Sequence, residues 1–144
     1  ALVQLGATYV ISTMGAGLAR ALRAQGRDEE ALALTRSSEA AAHDDDVEAQ
    51  VLWRAVRAPI VARAGQLAEA QALAQAAHEK ARETEMPSLR GFALTELASV
   101  LQLAGRSEEA RAALEEAMAI YDQKGDIASA ALTKRLLTPG EEPA

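Results

Sequence analysis

The sequence predicts an all-α fold: an α-α superhelix of about three helical hairpins, closed by a C-terminal capping helix. Three observations predict it. Alanine supplies 35 of the 144 residues, while the aromatics come to one Trp, one Phe and two Tyr. Ala is the strongest helix former, and a core of Ala and Leu requires elements that approach closely; a sandwich or barrel would draw on Val, Ile, Tyr and Thr at period two. Apolar residues also recur at helical spacing, most clearly Leu94, Leu97, Ala98 and Leu101. Finally, three segments repeat one pattern. In Gln25–Ala31, Ala64–Ala70 and Ala104–Ala110, a Gly is followed five residues later by Ala, with Glu just before that Ala. These glycines stand 39 and 40 positions apart, a period that signals a repeat array.

Each unit has the same local logic. An apolar helical stripe leads to Gly, which can take the left-handed conformation that ends a helix. Acidic residues follow, favoured by the partial positive charge of the next helix start. In the first unit (8–43) the back helix runs from about Asp28 to Ala42, and Asp44-Asp45-Asp46 forms an acidic loop able to cap a helix starting near Val47. The second unit (47–85) has an Ala-striped back helix from Leu67 to about Thr84. Met86-Pro87-Ser88 ends it and opens the third (88–124), since Pro suits a first turn. There the back helix carries Ala110, Ala113, Leu114 and Ala117, and Gly125-Asp126 opens the capping helix (126–137). The seven helices make one repeat domain over 1–137, and the Pro/Gly/Glu-rich 138–144 is a flexible tail.

Charge and cysteine content exclude several functions. The net charge is −6, which disfavours direct nucleic-acid binding, because contact with phosphates starts from a basic face. Without Cys there is no disulfide framework, thiolate nucleophile or Cys-based zinc site. No apolar run approaches the ~20 residues of a membrane span. The start, Ala1-Leu2-Val3-Gln4-Leu5, lacks both an initiator Met and a signal-peptide pattern, so the chain reads as a soluble, cytoplasmic piece of something longer. Its apolar Leu2, Val3 and Leu5 imply either neighbours upstream or a homodimer through this N-terminal helix, because repeat ends need polar caps.

Chemical motifs are sparse. A β-branched run before Gly15-x-Gly17 imitates a dinucleotide site, but Arg20 holds the place of the third Gly and no strand–helix alternation follows. The alternative is two glycines that let a helix pack closely. His43 and His78 have no ligand-spaced partner, and adjacent Glu pairs do not face each other on a helix. No catalytic residue, metal site or cofactor is expected, and the chain is not expected to be an enzyme. The unusual cluster is Trp53, Arg54 and Arg57, a candidate basic patch beside Pro59. Its structural explanation is that the arginines pair with acidic residues of the 44–48 loop or of adjacent helices while Trp53 packs between units.

With the turn Gly as fifteenth residue of a unit, Leu94, Leu97, Ala98, Leu101, Ala110, Leu114 and Ala117 fall on the large–large–small–large and small–large–small positions of the tetratricopeptide repeat. The chain resembles that family over about 8–137. The first unit matches at Leu18, Ala19, Leu22 and Ala31. The second matches at Ala58, Val61, Ala70 and Ala77 but departs at Arg54, Arg57 and Pro59. Repeats longer than the usual 34 residues are similar to C-terminal arrays of large bacterial ATPase-type transcriptional regulators and cyclase-fused proteins.

The resemblance implies a protein-interaction scaffold, the regulatory end of a larger protein, or alternatively a small-ligand or nucleotide-sensing fragment of an ATPase- or cyclase-type enzyme. It also implies a concave groove lined by front helices. Carried onto this chain, the groove positions are Thr13, Arg20, Arg23, Leu52, Ala55, Arg63, Phe92, Thr95, Ser99 and Gln102. Their basic bias points to a protein or peptide partner of acidic character.

Overall fold

The computed structural model describes residues 15–138, and these contain seven helices and no strand. They are α1 (Gly15–Ala24), α2 (Asp28–Ala41), α3 (Val47–Arg63), α4 (Leu67–Arg82), α5 (Pro87–Leu103), α6 (Ser107–Lys124) and α7 (Ile127–Leu137). The hairpins are α1–α2, α3–α4 and α5–α6. Each back helix also packs on the next front helix, and α3 packs directly on α5. The first unit's expected start at residue 8 and all but the first residue of the expected tail 138–144 lie outside the described residues. Thr13 and the apolar start at Leu2, Val3 and Leu5 lie outside the described residues.

The turns explain the repeat. Gly26, Gly65, Gly105 and Gly125 all have φ between 78° and 91°, a region that a Cβ disfavours. After each one the next amide reaches back to a carbonyl of the preceding helix: Arg27 N–H to Leu22 O at 2.9 Å, Gln66 to Val61 at 3.1 Å, Arg106 to Leu101 at 2.9 Å and Asp126 to Tyr121 at 2.9 Å. This is the same left-handed helix ending four times. The Ala five residues after the first three glycines is Ala31, Ala70 or Ala110, each essentially without exposure. A methyl there lets the two helices of a hairpin cross closely. Aspartates start two helices, as the acidic loop predicted: Asp46 Oδ1 accepts from Ala49 N–H and Asp126 Oδ1 from Ser129 N–H, both at 3.1 Å.

The core runs along the hairpins. Ala58, Val61, Ala70 and Ala74 of the second unit meet Leu94, Leu97, Ala98 and Leu101 of the third, and Ala110, Leu114, Ala117 and Tyr121 close it from α6. A second cluster, Val51, Ala55, Ala77, Ala81, Leu89 and Ala93, continues it along the joint between units two and three. The joint between units one and two is smaller, built on Ala19, Ala31, Val56 and Ile60. Pro59 is buried inside α3, which continues through it to Arg63.

Of the two glycines at the start of α1, Gly15 has a packing reason: an added Cβ would fall 2.8 Å from Ser38 Oγ on α2. Gly17 shows none, since among the described residues nothing lies within 4 Å of that place. The close-packing expectation therefore holds for Gly15. No described helix is long and apolar enough to cross a membrane.

Candidate functional site

The front helices meet in a cleft of 300 Å³ between α5 and α7. One face of α5 lines it with Ser88, Phe92, Thr95, Glu96 and Ser99, at positions i, i+4, i+7, i+8 and i+11, as one helical face requires. The facing wall is Ser129, Leu132, Thr133 and Leu136 of α7, with Tyr121 from α6 and Arg20 from α1 completing the lining. A second hollow of 220 Å³ continues it, lined by Thr95, Ser99, Gln102 and Leu136 among others.

Tyr121 reaches this place because α5 has no side chain at Gly91. A Cβ there would lie 2.5 Å from the Tyr121 ring. Burial pushes the Tyr121 phenol above its ordinary pKa of 10.0, and the Arg20 charge opposes that shift. Both charge and phenol line the one cleft. Lys124 donates to the Ser88 hydroxyl at the cleft's other edge.

Arg20 stacks its guanidinium over the Phe92 ring, 4.9 Å from the centroid, a cation–π contact. One turn on, Arg23 Nη1 lies 2.5 Å from Glu96 Oε2, with the two side chains 12% and 5% exposed. The same nitrogen donates to Val56 O at 2.9 Å. These contacts carry α1 across to α5, bridging the first unit to the third. Leu52 on α3 is half-buried against the same two apolar clusters as Phe92.

The predicted groove residues thus separate. Arg20, Phe92, Thr95 and Ser99 come together in the cleft, and Gln102 lines its continuation. Arg23 belongs to the buried bridge. Arg63 is paired away from the cleft, with Nη2 2.6 Å from Asp28 Oδ1 on α2. Ala55 corrects the sequence expectation: it has no exposure, because Val51, Ala77, Ala81, Leu89 and Ala93 surround it. Sequence reasoning missed Glu96, Tyr121 and the wall of α7. Treating α7 as the front helix of a further unit would have nominated Ser129, Leu132, Thr133 and Leu136 by spacing alone.

Of the candidate basic patch, Arg57 spans the joint of units one and two. Arg57 donates from Nε to Thr35 Oγ1 at 3.1 Å and from Nη2 to Glu39 Oε1 at 2.9 Å, both on α2. Arg54 donates to Gln50 O at 2.9 Å and Gln50 Oε1 at 2.7 Å. The two guanidiniums lie 4.3 and 4.5 Å from the Trp53 ring centroid, and Trp53 Nε1 donates to Gln50 Oε1 at 3.1 Å. For Arg57 the expected pairing with an adjacent helix is what the structure contains. Arg54 instead turns back onto its own helix.

The cleft has groups that bind and orient: a cation, hydroxyls and two leucines. Among the described residues, no set of three or more His, Asp or Glu is placed to hold a metal ion. The tetratricopeptide repeat family model matches residues 48–123, the second and third hairpins. Comparison with curated proteins and with solved structures returned no match.

Proposed function

Since the chain belongs to the tetratricopeptide repeat family, whose repeats mediate protein–protein interaction, we propose that it seats a segment of a partner protein in the cleft between α5 and α7 and has no catalysis of its own. One observation carries this reading. The cleft joins a cation, Arg20, that makes no ion pair among the described residues to two leucines, Leu132 and Leu136, that are 56% and 55% exposed.

Large apolar side chains held open beside an uncompensated charge suit a segment carrying a carboxylate next to an apolar anchor. The partner is then a protein or peptide of acidic character. The resemblance of the long repeats to regulator arrays supports placing the module at the interaction end of a larger cytoplasmic signalling or transcription-regulatory protein.

Selection of displayed random peptides on the chain tests this. Enriched peptides should combine Asp or Glu with a large apolar residue. They should lose about tenfold or more in affinity on Arg20→Glu, in line with a charge-assisted contact, and on Leu132→Asp. Enrichment that is indifferent to both substitutions would overturn the assignment of the cleft.

A further inference from the structure

A larger cleft, 490 Å³, opens elsewhere, between the back helices α4 and α6. Its floor is Leu94, Leu97 and Leu101 of α5. Phe92 and Leu94 are two residues apart, about 200° around a helix, so this cleft lies on nearly the opposite side of α5 from the one that holds Phe92. The walls are Gln71, Gln75 and His78 from α4 and Glu109, Ala113 and Glu116 from α6. The volume is that of a small-ligand pocket, and an apolar floor with a few polar groups is the usual lining of one.

The polar groups are unevenly satisfied. Arg106, at the turn into α6, is engaged through all three of its nitrogens. It donates to Glu109 Oε1 and Oε2 at 2.9 and 2.7 Å and to Gln71 Oε1 at 2.6 Å. Glu116 has no ion pair among the described residues. His78 Nδ1 is buried with no hydrogen-bond partner, a state that native structures rarely leave unexplained. The lining therefore holds two carboxylates against one guanidinium, which is already spent on Glu109.

Burial lowers the His78 pKa from its ordinary 6.5, favouring the neutral ring. Glu116 is the strongest charge acting on it and Glu79 acts the same way, while Arg82 and Arg90 oppose them. Neither Arg82 nor Arg90 lines the cleft.

The geometry points to a second ligand site here: a pocket for an organic cation, an ammonium or guanidinium carried on an apolar stem. The stem lies along the three leucines, and the charged end donates to Glu116 beside the neutral His78 ring. The cation comes either from a free amine or from a Lys or Arg side chain of a partner.

Two arms of one experiment separate these sources. In the first, 2-phenylethylamine, 2-phenylethanol and phenylacetate are titrated into protein with isotope-labelled leucine methyls. The amine should shift Leu94, Leu97 and Leu101 while leaving Leu132 and Leu136 still. It should bind at least about tenfold more tightly than the alcohol and the acid, and lose about tenfold on Glu116→Gln. In the second, acetyl-Leu-Lys-Leu-amide replaces the amine. Tighter binding by the peptide with the same Glu116 dependence assigns the site to a partner side chain, and binding by the amine alone assigns it to a free amine. Equal affinity for all three small probes, indifference to Glu116→Gln, or silence of the floor leucines towards both amine and peptide would overturn the site. Glu116 is exposed, and unchanged Trp53 fluorescence confirms that the variant is folded. Ala112→Leu, which fills the cleft from α6, should abolish binding.

Discussion

The joint between units one and two differs in kind from the joint between units two and three. The first is small in apolar area and rich in directed bonds. Arg57 holds Thr35 and Glu39, Arg63 holds Asp28, and Arg23 reaches Val56 O and Glu96. The second is alanine, valine and leucine throughout, from Val51 and Ala55 to Leu94 and Leu101. The family model matches residues 48–123, which is the pair of hairpins around the apolar joint. The difference has a physical cause. An apolar joint is made by many weak, non-directional contacts, so it appears in sequence as a regular stripe of small and large residues. A joint of arginines is made at a few points, and Arg57, which reaches α2, stands where that stripe would carry an apolar residue.

Removing a floor residue of the apolar joint should have the largest effect. Leu94 is 2% exposed, and Leu94→Ala should cost about 4 kcal/mol in chemical denaturation, within the range for a buried leucine. A cost under about 1 kcal/mol would mean that this joint does not dominate stability. Next comes the bridge. Arg23→Met leaves the Glu96 carboxylate buried without a cation, which should cost about 3 kcal/mol. The loss should be local: faster amide exchange over 15–41, with protection over 48–123 retained. Uniform loss of protection would erase the distinction between the joints.

The smallest effect is that of pH on the apolar joint, through His78. Its pKa is lowered in the folded chain, so the unfolded chain binds the proton first as pH falls below about 6.5, and stability then declines. The melting temperature should drop between pH 7.5 and 5.5, and His78→Gln should reduce the drop. An identical drop in that variant would assign the pH dependence to other groups.

Much of the fold was legible along the chain. Gly26, Gly65, Gly105 and Gly125 marked the turns, Asp46 and Asp126 the helix starts, and Pro87 the opening of α5. Each acts on backbone within a few residues of itself. Of the site, Arg20, Phe92, Thr95, Ser99 and Gln102 were legible as positions on front helices. The role of Arg23 was not, because its carboxylate partner lies two hairpins further on, and neither was the closure of Ala55 by two other helices, α4 and α5. Gly91 looked unremarkable, and only the Tyr121 ring against it explains the residue.

What the sequence by itself determined is therefore the alphabet of the molecule: helices, left-handed turns and the alanines at each crossing, all set by short-range backbone geometry and periodicity. Tertiary structure decided which charges are spent and which stay open. Arg23, Arg57 and Arg63 are used between helices, whereas Arg20 and Glu116 face clefts. That division depends on distances through space between elements far apart in the chain, and no local pattern encodes those distances.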